Sequence, residues 1–463
     1  MKNLSLENLV AAVRGEYTGS LPDLQREVRA VTTDSRDLTQ DCVFAALRGA
    51  RSDGHDFIPA AFAGGALAVL AERIPEGAGG NVILVPSVEK ALQRLAAYYR
   101  AQFDIPVLGI TGSVGKTTAK EMCAAVLSQR FCTLKTQGNF NNELGVPLTL
   151  FRLREEHRAA VVELGVSHFD EMRLLADMAQ PGMALYTNIG HAHLEAFGDL
   201  HGVLREKGRL IEVLPKDGVI FACGDDELLR DWDTGARRKI LYGTTAACEV
   251  RAENIRSLGI SGTGCDIVCR ERRIPVTVPA FGLHIIYAAL GAAAVGIQLG
   301  LTDEEIAAGI ATYAPVGSRS RVFSAARCTV IDDCYNANPT STAAALASLA
   351  SLPGRRVCIL GDMFELGAEE NALHRAVGEC AAAYGIEQVI ACGELAREIY
   401  SGARGAKEAP LAWHFPNKES LLDALPQLIK QGDTVLIKAS HSMAFDEVVT
   451  ALRQLEADTA SAE

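Results

Sequence analysis

The segment 109–121, GITGSVGKTTAKE, has residues of the types and spacing that bind a nucleoside triphosphate. Gly112 and Gly115 allow backbone N–H groups to converge on phosphate oxygens at the start of a helix. Lys116 can bridge the β- and γ-phosphates, and the Thr117 hydroxyl can bind Mg²⁺. The candidate nucleotide-binding residues of this loop are Gly112, Ser113, Val114, Gly115, Lys116, Thr117 and Thr118.

The context of this loop favours a phosphate site. The apolar run 107–110 predicts a strand before the loop, and apolar residues at helical spacing follow it. The usual G-x-x-x-x-G-K-[ST] pattern has glycine where this chain has Ile110, so the loop is a variant. A phosphate loop alone is compatible with a kinase, a GTPase, a motor ATPase or a ligase.

Polar residues that can complete such a site follow the loop along the chain. Glu163 ends an apolar, strand-like run, and His193 and Lys207 lie further on. Because ligands gather at the carboxyl ends of strands in an α/β sheet, Glu163 and His193 can both meet a Mg²⁺ ion held by phosphates. Taken singly, the three residues have plainer interpretations as a solvated or helix-capping glutamate, a structural histidine and a surface lysine.

The elements that position these residues alternate along most of the chain. Short apolar runs are followed by segments of helical period, from VILV at 82–85 to TVLIKAS at 434–440. This alternation predicts an α/β protein with buried parallel sheets. A length of 463 residues indicates about three domains. The predicted domains are 1–85, 86–314 and 315–463.

The composition and the chain start exclude other classes. The net charge is −12, whereas a general nucleic-acid binder carries a basic face, so we predict no nucleic-acid partner. No basic-then-apolar leader begins the chain, and no apolar run approaches the roughly 20 residues of a membrane span. The twelve cysteines include no C-x-x-C pair. We therefore expect a cytoplasmic protein with reduced thiols and no membrane insertion.

Five motifs follow one another in the middle of the chain: TGSVGKTT, GNFNNELGVP, ELGVSHFDEM, TNIGHAHLEAFG and EKG. Others flank them, namely TTDSRDL at 32–38, CVFAALRGARSDGHDF at 42–57, VIDDCYNANPTSTAAAL at 330–346 and LGDMFELGAEE at 360–370. Together these motifs resemble the Mur ligases, the ATP-dependent amide-forming enzymes of bacterial cell-wall precursor synthesis. The resemblance implies three domains: a small α/β domain for a UDP-linked substrate, a central parallel-sheet domain with the phosphate loop, and a carboxyl-terminal Rossmann-like domain.

The resemblance also implies a reaction. Mur ligases use ATP to convert a carboxylate into an acyl phosphate, which an amine then attacks to form an amide. The flanking motifs are most similar to the family member that adds D-alanyl-D-alanine to UDP-N-acetylmuramoyl-tripeptide (UDP-MurNAc-tripeptide). We therefore expect these two partners, with ATP and Mg²⁺, and we expect a monomer. The third residue of the tripeptide, lysine or diaminopimelate, stays open.

By the same resemblance, the catalytic residues are Lys116, Glu163, His193, Lys207 and Arg319. Lys116 holds the β- and γ-phosphates. Thr117 and Glu163 bind one Mg²⁺ ion, and His193 binds a second together with the substrate carboxylate. Lys207 matches the carbamylated lysine of the family, whose anionic carbamate supports the metals.

The amino-terminal domain is implied to bind the UDP end of the substrate. Ser35 and Arg36 are the matching positions, and the planar arginine fork suits pyrophosphate or uracil oxygens. Without the family, TTDSR could be only a turn. Asn139 and Asn142 are expected to face the same substrate from the central domain.

The carboxyl-terminal domain is implied to close over the nucleotide and to bind the incoming dipeptide. Asp333 and Asn336 are expected to lie near the nucleotide. Arg319 is expected to reach the γ-phosphate, with Arg321 as the alternative two residues away.

The chain departs from the family pattern at three places, and the mildest is Cys334, which replaces the common serine. The family's H-N-V-x-N-A-L reads HIIYAAL here, so Ile285 and Ala288 replace two asparagines that help hold the nucleotide. The family's K-G-S-R reads KASH and ends in His441 instead of arginine. The alternatives are therefore another Mur-type or folylpolyglutamate-synthase-like ligase, or a degenerate relative that binds nucleotide sugars without turnover.

Overall fold

The computed structural model describes residues 1–49, 52–74 and 79–456. Within these residues the strands form three sheets, each built from a different part of the chain. Each sheet lies inside one of the three predicted domains, whose boundaries stay predictions. The predicted fold class, three α/β units in succession, is confirmed.

The first unit is a small five-stranded sheet with short helices. Its elements are α1 Leu6–Val13, β1 Glu16–Thr18, β2 Ala30–Thr32, β3 Cys42–Ala45, α2 Ile58–Ala63, β4 Ala68–Ala71 and β5 Val82–Leu84, with 3₁₀ turns at Leu21–Gln25 and Gly54–Phe57. The strand order is β1-β5-β4-β3-β2. Only β1 and β5 pair antiparallel. Every residue of β3 and β4 is buried, as expected for parallel strands covered on both faces.

The second unit is the largest. Its helices are α3 Val88–Arg100, α4 Lys116–Leu127, α5 Gly145–Leu150, α6 Glu171–Ala179, α7 Leu194–Phe197, α8 Leu200–Gly208, α9 Leu210–Val213, α10 Glu227–Asp231, α11 Ile285–Gln298 and α12 Asp303–Ala311, with a 3₁₀ turn at Gly259–Ser261. Its strands are β6 Val107–Thr111, β7 Thr133–Lys135, β8 Ala159–Glu163, β9 Met183–Tyr186, β10 Val219–Cys223, β11 Arg238–Gly243, β12 Val250–Ser257, β13 Thr263–Cys269 and β14 Arg272–Val278.

The sheet of the second unit has the order β14-β13-β12-β11-β10-β9-β6-β8-β7. The seven strands β6 to β12 run parallel, as predicted. The last two strands, β13 and β14, instead form an antiparallel extension. Burial alternates along β14, which covers the core with one face only, and this period of two distinguishes it from the fully buried parallel strands.

The third unit contains six strands. Its elements are β15 Arg321–Ser324, β16 Cys328–Asp332, α13 Pro339–Ala350, β17 Arg356–Gly361, α14 Glu370–Ala383, β18 Gln388–Cys392, α15 Ala396–Gly405, β19 Leu411–Phe415, α16 Lys418–Leu428, β20 Asp433–Lys438 and α17 Asp446–Gln454, with 3₁₀ turns at Gly367–Glu369 and His441–Met443. The order is β15-β16-β20-β17-β18-β19, and only β15 is antiparallel. Helices that alternate with parallel strands give this unit its Rossmann-like form.

Helix α3 joins the first two units into one core. It packs on α1 of the first unit and on α5 and α6 of the second. Its Tyr99 is fully buried and donates its hydroxyl hydrogen to the Leu153 carbonyl at 2.8 Å. One hydrophobic cluster therefore extends from Leu4 to Tyr313. The third unit has its own clusters, one of which includes Phe281 of the central unit.

The carboxyl ends of strands from two different sheets meet at one cavity. Its lining includes Glu163 at the end of β8, Ser113 after β6, Asp333 after β16 and Lys438 at the end of β20. Parallel sheets place their ligand sites at this edge, and here two such edges face each other. Among the described residues, no helix has the length and apolar character needed to cross a bilayer.

Candidate active site

The phosphate loop connects β6 to α4 as predicted. Gly112 has φ 146°, and a Cβ atom there would lie 1.9 Å from Thr187 Oγ1, so only glycine fits. Gly115 has φ 80° and is the N-cap of α4, without a side-chain cap. The first N–H groups of α4 therefore point into the cavity without capping partners, which is the arrangement that binds an anion.

The segment after β9 braces this loop. Asn188 accepts hydrogen bonds from the N–H of Ser113 through its carbonyl, at 3.0 Å, and from the N–H of Val114 through Oδ1, at 2.8 Å. The Thr187 hydroxyl donates to the Val114 carbonyl at 2.6 Å. The N–H groups of Ser113 and Val114 are thus occupied within the protein, and those from Gly115 onward face the cavity.

The Lys116 side chain turns back towards the phosphate loop that precedes it. Its ammonium donates to the Gly112 carbonyl at 2.7 Å. Burial lowers the pKa of Lys116; nearby Glu163 opposes this shift and Arg319 adds to it. A phosphate placed beside this ammonium would favour its charged form, so burial and charge together suit the lysine to an anionic ligand.

Glu163 is held in one orientation at the end of β8. Its Oε1 accepts hydrogen bonds from the Thr117 hydroxyl at 3.1 Å and from Asn141 Nδ2 at 2.8 Å. Its Oε2 is buried and lacks a hydrogen-bond partner, and the fully buried Lys120 ammonium lies 3.7 Å from it. An unsatisfied buried carboxylate oxygen beside a hydroxyl is a donor set that fits a hard cation such as Mg²⁺.

The protein provides only part of a metal coordination shell at this place. Among the described residues, no group of three histidine, cysteine, aspartate or glutamate side chains comes together to hold a metal. A cation here would therefore take its remaining ligands from nucleotide phosphates and water, as Mg²⁺ commonly does at phosphate sites.

His193 immediately precedes α7, and a residue of the third unit lies against it. Its backbone is left-handed, with φ 55°, and its Nδ1 lies 2.5 Å from Oε2 of Glu365. Burial lowers the pKa of His193; Glu365 opposes the shift, and Lys116 and Lys207 add to it. These effects place His193 in the same electrostatic environment as the two lysines.

Lys207 is fully buried in α8, and its Nζ has no hydrogen-bond partner. The Phe197 ring centroid lies 6.0 Å from this nitrogen. Burial, reinforced by Lys116, holds the pKa of Lys207 well below its usual value, while Glu206 and Glu171 oppose the shift. These surroundings favour the uncharged amine, the form that reacts as a nucleophile.

The third unit supplies the opposite wall of the cavity, whose volume is about 250 Å³. Arg319 lies on this wall with its guanidinium carbon 3.6 Å from the Tyr335 ring centroid, whereas Arg321 is exposed on β15. Lys438 donates to Asp333 Oδ2 at 2.7 Å and to the Asn336 carbonyl at 2.9 Å. Asp333, Asn336 and Arg319 therefore share one wall, and Lys438 fixes its shape.

A second cavity, of about 320 Å³, continues from the first beside α11. The two share lining residues that include Gly115 and His284. Ala288, where the family pattern has asparagine, lines the second cavity. The neighbouring Tyr287 hydroxyl donates to Asp225 Oδ2 at 2.9 Å. A tyrosine and an aspartate thus provide polar groups where the expected asparagines are missing.

The remaining predicted residues do not line the first cavity, and neither do His193 and Lys207. Arg36 is 88% exposed and pairs with Asp34 at 2.7 Å, and Ser35 lies beside it in the first unit. Asn139 is exposed, and Asn142 accepts from the Gly145 N–H at 2.9 Å at the start of α5. None of Ser35, Arg36, Asn139 and Asn142 lines the first cavity.

Three residues of the site had no predicted role. Asn141, between the two predicted asparagines, is the one that contacts Glu163. Lys438 ends a strand that was predicted, and a polar residue at a strand end was the signal for it. Glu365 lies in the GDMFELG motif, but only the folded structure shows that it meets His193.

Three family models match this chain in succession. "Mur ligase family, catalytic domain" matches residues 27–100, "Mur ligase middle domain" matches 110–296, and "Mur ligase, glutamate ligase domain" matches 318–441. A curated relative from Escherichia coli (strain K12), UDP-N-acetylmuramoyl-tripeptide–D-alanyl-D-alanine ligase, is 40% identical over 460 residues. That match covers 98% of this chain and 99% of the relative. The chain belongs to the Mur ligase family.

Solved structures of Mur ligases have the same architecture. MurF from Acinetobacter baumannii matches with a TM-score of 0.89 and 31% identity, covering 97% of this chain and 99% of that one. MurF from Thermotoga maritima in complex with ADP matches with a TM-score of 0.81 and 26% identity, covering 92% and 97%. The predicted membership of the Mur ligase family is therefore confirmed.

Proposed function

We propose that this Mur ligase adds D-alanyl-D-alanine to UDP-MurNAc-tripeptide. ATP phosphorylates the substrate carboxylate, the dipeptide amine attacks the acyl phosphate, and the products are UDP-MurNAc-pentapeptide, ADP and phosphate. The observation that carries this proposal is the 40% identity, over nearly the full chain, to a relative that bears the name of this activity. Identity at this level and coverage disfavours another Mur-type ligase or a folylpolyglutamate-synthase-like enzyme.

In this proposal the first cavity binds the ATP phosphates. The N-terminus of α4 and the Lys116 ammonium supply positive charge where the phosphates lie. Arg319 faces them from the third unit. The second cavity then takes the base and ribose, between Tyr287 and the loop that follows β9.

Mg²⁺ fits the donor set on the phosphate side. Thr117 and Glu163 would hold one ion, and His193 a second near the substrate carboxylate. Bound there, the metal supplies charge neutralisation for anions that must approach one another. Asn141 and Lys120 keep the Glu163 carboxylate turned towards this place by their contacts with its two oxygens.

Lys207 is proposed to carry a carbamate. The buried, unpartnered amine with its lowered pKa supports this, because carbamylation requires an uncharged amine. The resulting anion would remove an orphaned donor from the interior and place a carboxylate near His193.

The outer domains are proposed to hold the two organic substrates. Ser35 and Arg36 in domain 1–85 bind the UDP end, with Asn139 and Asn142 facing the same substrate from domain 86–314. Domain 315–463 closes over the nucleotide and binds the dipeptide. A monomer, a cytoplasmic location, and the absence of nucleic-acid partners and of membrane insertion stay predictions.

Phosphate release tests this function directly. The purified chain is supplied with UDP-MurNAc-tripeptide, ATP and Mg²⁺, with and without D-alanyl-D-alanine, using lysine- and diaminopimelate-containing tripeptides in parallel. We expect phosphate release that depends on the dipeptide. Mass spectrometry should show a product heavier than UDP-MurNAc-tripeptide by the mass of D-alanyl-D-alanine less one water. Tight nucleotide-sugar binding without dipeptide-dependent phosphate would instead identify a relative without turnover.

A further inference from the structure

The contact between His193 and Glu365 joins two domains at the proposed metal site. His193 precedes α7 in the central unit, and Glu365 follows β17 in the third unit. Nδ1 of His193 is buried and lies 2.5 Å from the Glu365 carboxylate, an ion-pair distance, although the contact lacks regular hydrogen-bond geometry. This ring nitrogen is therefore covered by the other domain, which leaves Nε2 as the nitrogen available to a ligand.

The backbone on both sides of this contact is unusual. Glu365 has φ 64° and His193 has φ 55°, so both are non-glycine residues in the left-handed region. Such conformations cost free energy and persist where the surrounding structure requires them, often at functional sites. The N–H of Glu195 donates to the Glu365 carbonyl at 3.3 Å, so the two segments also meet through their backbones.

The third unit fixes the segment that carries Glu365. His374 of α14 is fully buried, and its Nε2 accepts from the Met363 N–H at 2.9 Å. The Phe364 N–H donates to the Ser440 hydroxyl oxygen at 3.0 Å. Glu365 is thus presented to His193 by a braced loop, although its own side chain is 57% exposed.

We propose that Glu365 is a positioning residue for His193, and that docking of the third domain completes the metal site that uses this histidine. Histidines that bind metals generally have a carboxylate or carbonyl against the second ring nitrogen, which sets the tautomer and the ring orientation. Here that carboxylate comes from a different domain. The proposal rests on the proposed function, in which His193 is a metal ligand.

This arrangement couples two events. A metal ion on His193 is bound more tightly when Glu365 is in place, and by reciprocity the bound ion favours the docked position of the third domain. The amine substrate would then meet an activated carboxylate only in the arrangement that brings Arg319 to the cavity as well.

Manganese binding measured by electron paramagnetic resonance tests the proposal without relying on turnover. Mn²⁺ is titrated into the full chain with a non-hydrolysable ATP analogue and UDP-MurNAc-tripeptide. The variants are Glu365→Gln, which keeps the side-chain shape, His193→Ala, and the double variant. Glu369→Gln is the matched control, since Glu369 is exposed on the same loop and has no part in the site.

We expect Glu365→Gln to weaken the binding of one of the two Mn²⁺ ions by about 10-fold, which is within the range for removing a group that orients a metal-binding histidine. His193→Ala should weaken the same ion, and Glu365→Gln should add nothing in that background. Glu369→Gln should bind like the wild type. Unchanged Mn²⁺ affinity in Glu365→Gln, with His193→Ala impaired, would overturn the proposal while leaving the metal role of His193 intact.

A second measurement reports on the docking itself. The radius of gyration from small-angle X-ray scattering is compared with and without Mn²⁺ at saturating analogue and tripeptide. We expect Mn²⁺ to compact the wild type and Glu369→Gln, and to compact Glu365→Gln less. Full Mn²⁺ binding in His193→Ala would remove both this proposal and the metal role of His193, while the dipeptide-dependent phosphate assay still judges the ligase activity separately.

Discussion

At the scale of single residues, the site is organised by polar atoms that the protein buries without satisfying. Glu163 Oε2 and Lys207 Nζ are both buried without a hydrogen-bond partner. Orphaned groups of this kind are costly in a folded protein, so each one calls for a physical explanation. Each of the two has a proposed external partner, a cation for the carboxylate and carbon dioxide for the amine.

The state of Lys207 is open to a direct experiment. We expect a carbamate signal in the ¹³C NMR spectrum of the wild type equilibrated with ¹³C-bicarbonate, because burial favours the uncharged form of the Lys207 amine and shields it from water. Lys207→Gln should lose that signal and lower turnover by about 10- to 100-fold, as for other groups that support metal ligands.

Lys216→Gln is the control for this experiment, since Lys216 is exposed and belongs to no part of the site. It should retain both the carbamate signal and the turnover. Wild-type turnover in Lys207→Gln would show that no carbamate at this position takes part in the reaction.

At the scale of elements, the site depends on loops at strand ends that neighbouring segments hold in place. The segment after β9 braces the phosphate loop after β6, and α14 braces the loop after β17. In α14, His374 accepts from the Met363 N–H through Nε2, and its Nδ1 lies 2.7 Å from the Glu370 carbonyl. This pattern requires a neutral imidazole with its proton on Nδ1.

The α14 brace predicts a pH dependence of stability. Burial lowers the pKa of His374 from 6.5 in the folded protein. As the pH falls below about 6.5, this histidine therefore becomes protonated in the unfolded chain while it stays neutral in the folded one. The stabilisation is complete above pH 6.5 and is lost as the pH falls towards the lower folded-state pKa, by up to about 1.4 kcal/mol per pH unit.

The measurement is the thermal unfolding midpoint of the wild type and of His374→Gln from pH 7.5 to 5.0. Glutamine can accept from the Met363 N–H and donate to the Glu370 carbonyl, but it does not titrate. We expect the midpoint of the variant to fall less steeply on acidification. Equal slopes for the two proteins would exclude His374 as the source of the pH dependence.

The sequence predicted the α/β alternation and several of the buried strands, but not how the ends of the strands meet. The strands at 107–110 and 159–163 were visible as apolar runs, because parallel strands buried on both faces are apolar throughout. The strands β13 and β14 were not predicted; β14 alternates between buried and exposed residues, whereas β13 is buried at all but one position.

Side-chain partners were less predictable than side-chain types. The GNFNN segment indicated asparagines at the site, but which of them contacts Glu163 depends on the loop conformation, and it is Asn141. The meeting of Glu365 with His193 spans two domains, so no local spacing could indicate it. The residues of the phosphate loop were predictable because their chemistry is local.

At the scale of the whole molecule, the cavity exists only because two units face each other. Lys116 and Glu163 come from the central unit, and Arg319 and Asp333 come from the third. Arg319 and Arg321 could not be distinguished by sequence, but the structure places only Arg319 on the cavity. The pair therefore gives a test with a built-in control.

We expect Arg319→Ala to lower turnover by about 100-fold, because a cation facing the transferred phosphoryl group stabilises charge in the transition state. Arg321→Ala, on the exposed edge strand, should keep wild-type turnover. The measurement is dipeptide-dependent phosphate release at saturating substrates. Equal losses of turnover in the two variants would mean that turnover depends on the segment 319–321 as a whole and not on the Arg319 guanidinium.

The core shared by the first two units has a consequence for how the chain can come apart. Since α3 packs against both units and Tyr99 is sealed between them, separating these units would expose continuous apolar surface to water. The third unit keeps its own core and has one residue of the central unit, Phe281, embedded in it. On heating, the first two units, described over residues 1–49, 52–74 and 79–313, should unfold together in one cooperative transition. The third unit can unfold in a separate transition.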